Sequence, residues 1–420
     1  MDAFQIRGGR ALRGEVTISG SKNAALPIMA AALLTREPCV IRRVPNLSDV
    51  QFMGDILRSL GAKVEFSGDT VTIEARDIQE FGDYELIRKM RASVCIMGPL
   101  LARLRRARVS LPGGCVIGAR PIDLHLKGLR MLGAKFNIRG GYVVGSTPAL
   151  SGAEVFLGGR VGPTVLGTAN IMMAATLAQG VTIIESAACE PEVVDLAKFL
   201  TSMGARIQGA GSPTLTITGM PELRGAEHDV IPDRIEAATF AIAAAVTKGS
   251  LVLKGARADH MGAILDKLRE AGVSIRRQGN DLAVERSRRR LRPVDITTQP
   301  YAGFPTDVQA QMMVLMLQVP GISVITERIF ESRFMHVPEL CRLGAQISIE
   351  GPSAIVKGGE PLSGAPVMAS DLRASAALVL AGLAAEGVTT VKRVYHLDRG
   401  YERMDEKLRA VGARIERIPE

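Results

Sequence analysis

Cys115 stands in the stretch L-P-G-G-C-V-I-G-A-R-P-I-D-L-H, from Leu111 to His125. Pro112, Gly113, Gly114, Gly118 and Pro121 cannot continue as a helix or a central strand, so the stretch reads as a loop. Arg120 follows five residues after the thiol and offers a planar fork suited to phosphate or carboxylate. A glycine-rich loop carrying one thiol and one guanidinium is a candidate lid over an anionic ligand. The same residues also fit a surface loop with an incidental cysteine, and composition alone leaves both readings open.

A second set of charged residues recurs where apolar segments begin: Ser21-Lys22-Asn23, Arg88-Lys89-Met90-Arg91, Asp233-Arg234, Thr306-Asp307 and Asp371-Leu372-Arg373. If those segments are helices, Asp233, Asp307 and Asp371 taken singly read as caps that complement the helix dipole. Lys22, Arg91, Arg234 and Arg373 oppose that dipole by up to ~1 kcal/mol each at exposed sites. Cations there make sense around a bound anion, to which free helix amides also point. A phosphate-lined cleft follows as an expectation. The five histidines lack metal-ligand spacing, and neither a phosphate-cradling G-x-x-x-x-G-K-[ST] nor a G-x-G-x-x-G between strand and helix occurs. No metal is expected. The arginine runs 103–108 and 286–292 read as solvated faces or turns rather than nucleic-acid contacts.

Six copies of one phrase position these residues. A leucine followed four residues later by glycine, then alanine or valine, occurs at Leu57-Gly61, Leu129-Gly133, Leu200-Gly204, Leu268-Gly272, Leu340-Gly344 and Leu408-Gly412. Four residues is about one helical turn, so each glycine reads as the residue ending a helix, with a strand beginning at once. A hairpin signal follows, as at Ser67-Gly68-Asp69, Gly140-Gly141 and Gly279-Asn280-Asp281. Then come an Ala-rich apolar helix and a short strand usually introduced by glycine. The expected apolar helices are 23–34, 92–104, 170–178, 235–246, 308–319 and 372–385. The unit is a β-α-β-α-β-β repeat of about 70 residues, with the apolar helix central and the amphipathic one outer. The last copy lacks its returning strand after Ile415-Glu-Arg-Ile418, which Phe4-Gln-Ile-Arg7 could supply. Six repeats exceed one core, so two lobes of three are expected. Residues 1–20 with 231–420 would form one lobe, and 21–230 the other, which carries the Cys115 loop.

The bulk numbers set limits. The chain has 420 residues, 47% hydrophobic, enough for a substantial core. The opening residues lack a basic stretch followed by an apolar one, and apolar runs last only about 10 to 14 residues, too short for membrane spans. Five cysteines without a C-x-x-C pair argue against a disulfide framework or a structural zinc site and suit a reducing cytoplasm. A net charge of +9 points to anionic partners, while 4% aromatics and no Trp provide few stacking platforms for single-stranded nucleic acid. Small phosphorylated substrates fit best, with no nucleic acid and no membrane.

The repeats, together with S19-G-S-K-N-A-A-L26, the Cys115 stretch, F304-P-T-D-V-Q-A-Q311, R333-F-M-H-V-P-E-L340 and H396-L-D-R-G-Y-E402, closely resemble the enolpyruvyl transferases. Within them, the match is to the UDP-N-acetylglucosamine 1-carboxyvinyltransferases and covers essentially the whole chain. The sister 5-enolpyruvylshikimate-3-phosphate synthases share the six-unit fold but lack this cysteine. The resemblance implies a two-lobed inside-out α/β barrel with three units per lobe. It implies transfer of the enolpyruvyl group of phosphoenolpyruvate to the 3′-hydroxyl of UDP-N-acetylglucosamine, opening peptidoglycan precursor synthesis. The reaction runs through addition, then elimination of phosphate, with no cofactor or metal.

Roles follow by resemblance. Cys115 is the general acid toward C3 of phosphoenolpyruvate and can form a covalent adduct with it. Lys22, Asn23, Arg120 and Arg399 hold phosphoenolpyruvate. Asp307 lies near the sugar hydroxyl as the base. Arg91, Arg120, Pro121, Ile122, Asp123, Leu124, Asp307 and Ile329 contact the UDP-sugar. Arg160, Val161, Gly162 and Pro163 contact it as well. His125, Asp233, Asp371 and Arg373 are further cleft residues. The family's stretch S-V-G-A-T-E-N-I is here about two residues longer, running from Arg160 to Ile171. A catalytically silent paralogue that only binds a UDP-sugar should have lost acid, base or clamp. Cys115, Asp307, Lys22, Arg120 and Arg399 are all present.

Overall fold

The six repeated glycines all occupy the left-handed region, with φ of +95° at Gly61, +100° at Gly133, +103° at Gly204, +98° at Gly272, +92° at Gly344 and +101° at Gly412. A side chain there is strained, which explains why the phrase keeps glycine. In five copies the amide after the glycine donates to the carbonyl of the repeated leucine: Ala62 to Leu57, Ala134 to Leu129, Ala205 to Leu200, Ala345 to Leu340 and Ala413 to Leu408, at 3.0 to 3.2 Å. This bond closes a Schellman helix end and turns the chain into the next strand. The recurring phrase is thus a helix stop.

The computed structural model describes residues 2–80, 91–110, 122–286, 290–331 and 333–420, without the side chains of Arg91 and Ala92. They divide into two compact units, residues 2–19 with 232–420 in the first and residues 20–231 in the second.

Six sheets repeat one arrangement. The strand after the glycine pairs with its hairpin partner, which pairs with the short strand, and five of the six sheets add a parallel edge strand. In the first unit these sheets surround three mutually packed apolar helices, Arg234–Val246, Gln309–Leu317 and Leu372–Ala384. In the second unit Lys22–Ala31 and Met97–Leu104 each pack on Val165–Ala175. Nearly every residue of the Arg234–Val246 and Leu372–Ala384 helices is buried, as their all-round apolar character requires. Among the described residues no sheet closes on itself, so no closed ladder of hydrogen bonds stands behind the word barrel.

The N-terminal strand Asp2–Arg7 pairs antiparallel with Arg414–Pro419, and Ile6 lies opposite Ile415. It also pairs with Val388–Lys392, so it fills the missing return position. Two strands break sequence order. Arg13–Thr17 pairs with Ser250–Lys254 in the first unit, and Glu227–Asp229 pairs with Cys39–Arg42 in the second. The chain thus lends one strand to each unit at the two crossovers.

Two expectations need correction. The third apolar helix starts at Val165 rather than Asn170, because the Thr164 hydroxyl accepts the Gly167 amide and caps it early. Arg103 is not a solvated surface residue: its guanidinium donates to the carbonyls of Leu33, Thr35 and Arg76. It satisfies carbonyls left open where the first apolar helix ends.

Candidate active site

In the first unit the site builds from the start of the Gln309–Leu317 helix. Asp307 sits in the short 3₁₀ turn Thr306–Val308, and its side chain does not cap a helix. Its two oxygens instead meet two guanidiniums, Arg333 Nη1 at 2.8 Å and Arg373 Nη2 at 3.1 Å. Both arginines are nearly buried, while Asp307 keeps 27% of its side chain exposed. The carboxylate is therefore aimed, with one face still open. Burial opposes the charge on Arg373, but Asp307, Tyr401 and Asp233 outweigh it and hold the group firmly protonated.

Glu327, fully buried, fixes the neighbouring loop. It accepts from Thr298, Thr306 and the amides of Ile329 and Phe330. Ile329, an expected UDP-sugar contact, is thereby tied beside the Asp307 turn. Asp233 and Asp371 are caps: each accepts two amides at the start of its helix. The capping reading holds for these two and fails for Asp307. Arg399 lies half-buried at the end of the 3₁₀ turn Val394–Arg399.

In the second unit Lys22 opens the Lys22–Ala31 helix, and its ammonium lies 3.1 Å from Asp49 Oδ2. Asn23 beside it is half-buried. The anions beside Lys22 and Arg373 are thus protein carboxylates, which alters the inference that those cations require a bound ligand. Ile122 stands before the Asp123–Met131 helix, Asp123 is exposed in its first turn, and Leu124 reaches toward Gly159. Gly159 belongs to a small hairpin in which Gly158–Gly159 pairs with Gly162–Pro163, with Arg160 and Val161 at the turn. The two sets of expected UDP-sugar contacts therefore meet.

His125 differs from its expected place among cleft residues. It is 5% exposed, and its Nδ1 lies 3.1 Å from Asn170 Nδ2 in the core of the unit. Burial lowers its pKa to about 4, so it is neutral at pH 7 and accepts from the amide. Burial likewise pushes the thiols of Cys39 and Cys95 up to about 11 and about 12, which removes them as nucleophiles. Cys115, Arg120 and Pro121 lie outside the described residues, as does the side chain of Arg91. Sequence reasoning missed Asp49, Glu327, Arg333 and Tyr401 as site residues. Arg333 and Tyr401 stood inside quoted motifs, but nothing in their spacing pointed to Asp307.

Among the described residues no group of three or more His, Cys, Asp or Glu could hold a metal ion. No described helix is long and apolar enough to cross a membrane.

The family model for EPSP synthase (3-phosphoshikimate 1-carboxyvinyltransferase) matches residues 6–408. UDP-N-acetylglucosamine 1-carboxyvinyltransferase of Methylacidiphilum infernorum is 57% identical over 418 residues, covering 100% of this chain and 99% of that protein. The protein of the same name from Akkermansia muciniphila is 54% identical, with 100% and 99% covered. Among solved structures, the enolpyruvyl transferase NikO from Streptomyces tendae superposes with a TM-score of 0.91 at 28% identity, covering 99% of each chain. An EPSP synthase from Acinetobacter baumannii shares the fold, with a TM-score of 0.77 at 19% identity and 100% of each chain covered. The chain belongs to the enolpyruvyl transferase family, in the branch of the UDP-N-acetylglucosamine 1-carboxyvinyltransferases.

Proposed function

We propose that this protein transfers the enolpyruvyl group of phosphoenolpyruvate to the 3′-hydroxyl of UDP-N-acetylglucosamine, in the cytoplasm, at the entry to peptidoglycan precursor synthesis. The observation that carries this reading is 57% identity, end to end, with a protein of that named activity. Cys115 protonates C3 while the sugar oxygen bonds to C2, giving the tetrahedral ketal. Loss of a proton from C3 and departure of phosphate then regenerate the double bond. Asp307 takes the hydroxyl proton, and its exposed face beside Arg333 and Arg373 supports that role. Lys22, Asn23, Arg120 and Arg399 neutralise the phosphate and carboxylate of phosphoenolpyruvate, work for which no metal or other cofactor is needed. Arg91, residues 121–124, residues 160–163 and Ile329 hold the UDP-sugar. The contact between Leu124 and the Gly158–Pro163 hairpin supports their acting together. The common strand order of the sheets supports a six-unit architecture with three units around each helical core.

A phosphate-release assay with both acceptors tests the activity. Release from phosphoenolpyruvate with UDP-N-acetylglucosamine and not with shikimate 3-phosphate is expected, without added metal. Release with shikimate 3-phosphate alone moves the protein to the sister branch, and release with neither leaves a silent UDP-sugar binder.

A further inference from the structure

Tyr401 is 1% exposed and sits where the three apolar helices of the first unit begin. Its hydroxyl lies 2.8 Å from Thr239 Oγ1 on the Arg234–Val246 helix and accepts from Gln311 Nε2 at 3.1 Å on the Gln309–Leu317 helix. The same Gln311 amide donates to the Asp307 carbonyl at 2.9 Å. The Arg373 guanidinium, from the Leu372–Ala384 helix, stands 5.3 Å over the Tyr401 ring while its Nη2 holds Asp307 Oδ2. One buried side chain therefore touches two supports of Asp307, the amide that holds its backbone and one of the two arginines that hold its carboxylate. A phenylalanine would fill the same volume, so the hydroxyl is not required by packing. A buried hydroxyl is retained at a desolvation cost unless its hydrogen bonds offset it.

We propose that Tyr401 is a positioning residue that aims the Asp307 carboxylate at the acceptor hydroxyl, acting through Gln311 and Arg373. The proposal rests on the reading of Asp307 as the base. Displacing a reacting group by about 1 Å can cost on the order of a hundredfold in rate, so a support this close to the base has leverage on kcat.

Tyr401→Phe keeps the ring beneath Arg373 and removes only the hydroxyl. Its kcat is expected to fall about tenfold, with KM for the UDP-sugar within about twofold of wild type. Thr239→Val removes the partner of the same hydroxyl and covers the case in which Tyr401→Phe does not fold. Combining the two should cost less than the product of their separate effects. Crystal structures should show the Asp307 carboxylate displaced by about 0.5 Å or more in Tyr401→Phe, the tolerance that positioned groups obey. An unchanged kcat in both single variants overturns the proposal, even if both melt earlier, because that is a purely structural role. An inactive wild type would refute the activity rather than this inference. In that case the carboxylate position decides, and an unmoved carboxylate overturns it.

Discussion

Lys22 and Asp49 form an ion pair at 3.1 Å with 11% and 6% of their side chains exposed. A lysine at the first position of an apolar helix is thereby held by a carboxylate from the first turn of the next helix, Ser48–Ser59. A hydrogen bond to a charged group contributes about 1.5–3 kcal/mol, or roughly ten- to a hundredfold in an equilibrium. Asp49→Ala is expected to raise KM for phosphoenolpyruvate within that range and KM for the UDP-sugar by much less. Steady-state kinetics with each substrate varied checks this, and equal changes in both constants would contradict it.

Asp307 faces two arginines, and two substitutions both remove its charge while only one keeps its shape. Asp307→Asn keeps the shape and an acceptor for one guanidinium, but an amide cannot take the hydroxyl proton. A loss of at least about a hundredfold in kcat is expected, with a smaller loss of stability in urea than for Ala because one guanidinium keeps an acceptor. Asp307→Ala removes a counter-charge from two nearly buried guanidiniums and should destabilise the fold by about 3 kcal/mol as well.

Lys407 is expected to matter for stability. Its ammonium lies 2.6 Å from Glu236, which is 2% exposed, and also donates to Ser19. Burial raises the pKa of Glu236, and the attraction of Lys407 only partly offsets this. A raised carboxylate favours the protonated folded form, so its penalty appears as pH rises through the folded value. Lys407→Met should therefore cost about 3–5 kcal/mol at pH 7 and less in mild acid. Glu236→Gln combined with it should recover much of the loss. Urea melts of the single and double variants decide the matter.

Two histidines should make the fold acid-sensitive. Burial lowers both His125 and His336 from 6.5 to about 4. The unfolded chain then binds protons more readily than the folded one, so stability present above pH 6.5 is lost as pH falls toward about 4. Each shift corresponds to on the order of 3 kcal/mol at the acid end. His125→Gln, which retains an acceptor for Asn170, should flatten part of the pH dependence of unfolding between pH 6.5 and 4. An unchanged slope would contradict the assignment.

Phe4 is fully buried in the N-terminal strand that completes the sheet at the C-terminal end. Phe4→Ala is expected to cost about 3–5 kcal/mol in urea unfolding, as a core cavity does. A value below 1 kcal/mol would mean that this strand is dispensable.

Much of the architecture was legible before any coordinates because its signals are local. A helix end that needs positive φ keeps glycine, and the leucine one turn earlier carries the accepting carbonyl. That pair recurs at a spacing near 70 residues, which is enough to read six units and their apolar helices. The return of Phe4–Arg7 to the last sheet followed from counting strands in each unit. What the sequence could not supply was pairing across distance. Asp49 meets Lys22 from 27 residues away, and Arg373 meets Asp307 from 66 residues away. Many charged residues could have met those cations, and only the packing of the apolar helices selects which carboxylates arrive. The strands paired across the two crossovers, the burial of His125 and the place of Tyr401 beneath Arg373 were decided the same way, by tertiary packing that no local spacing encodes.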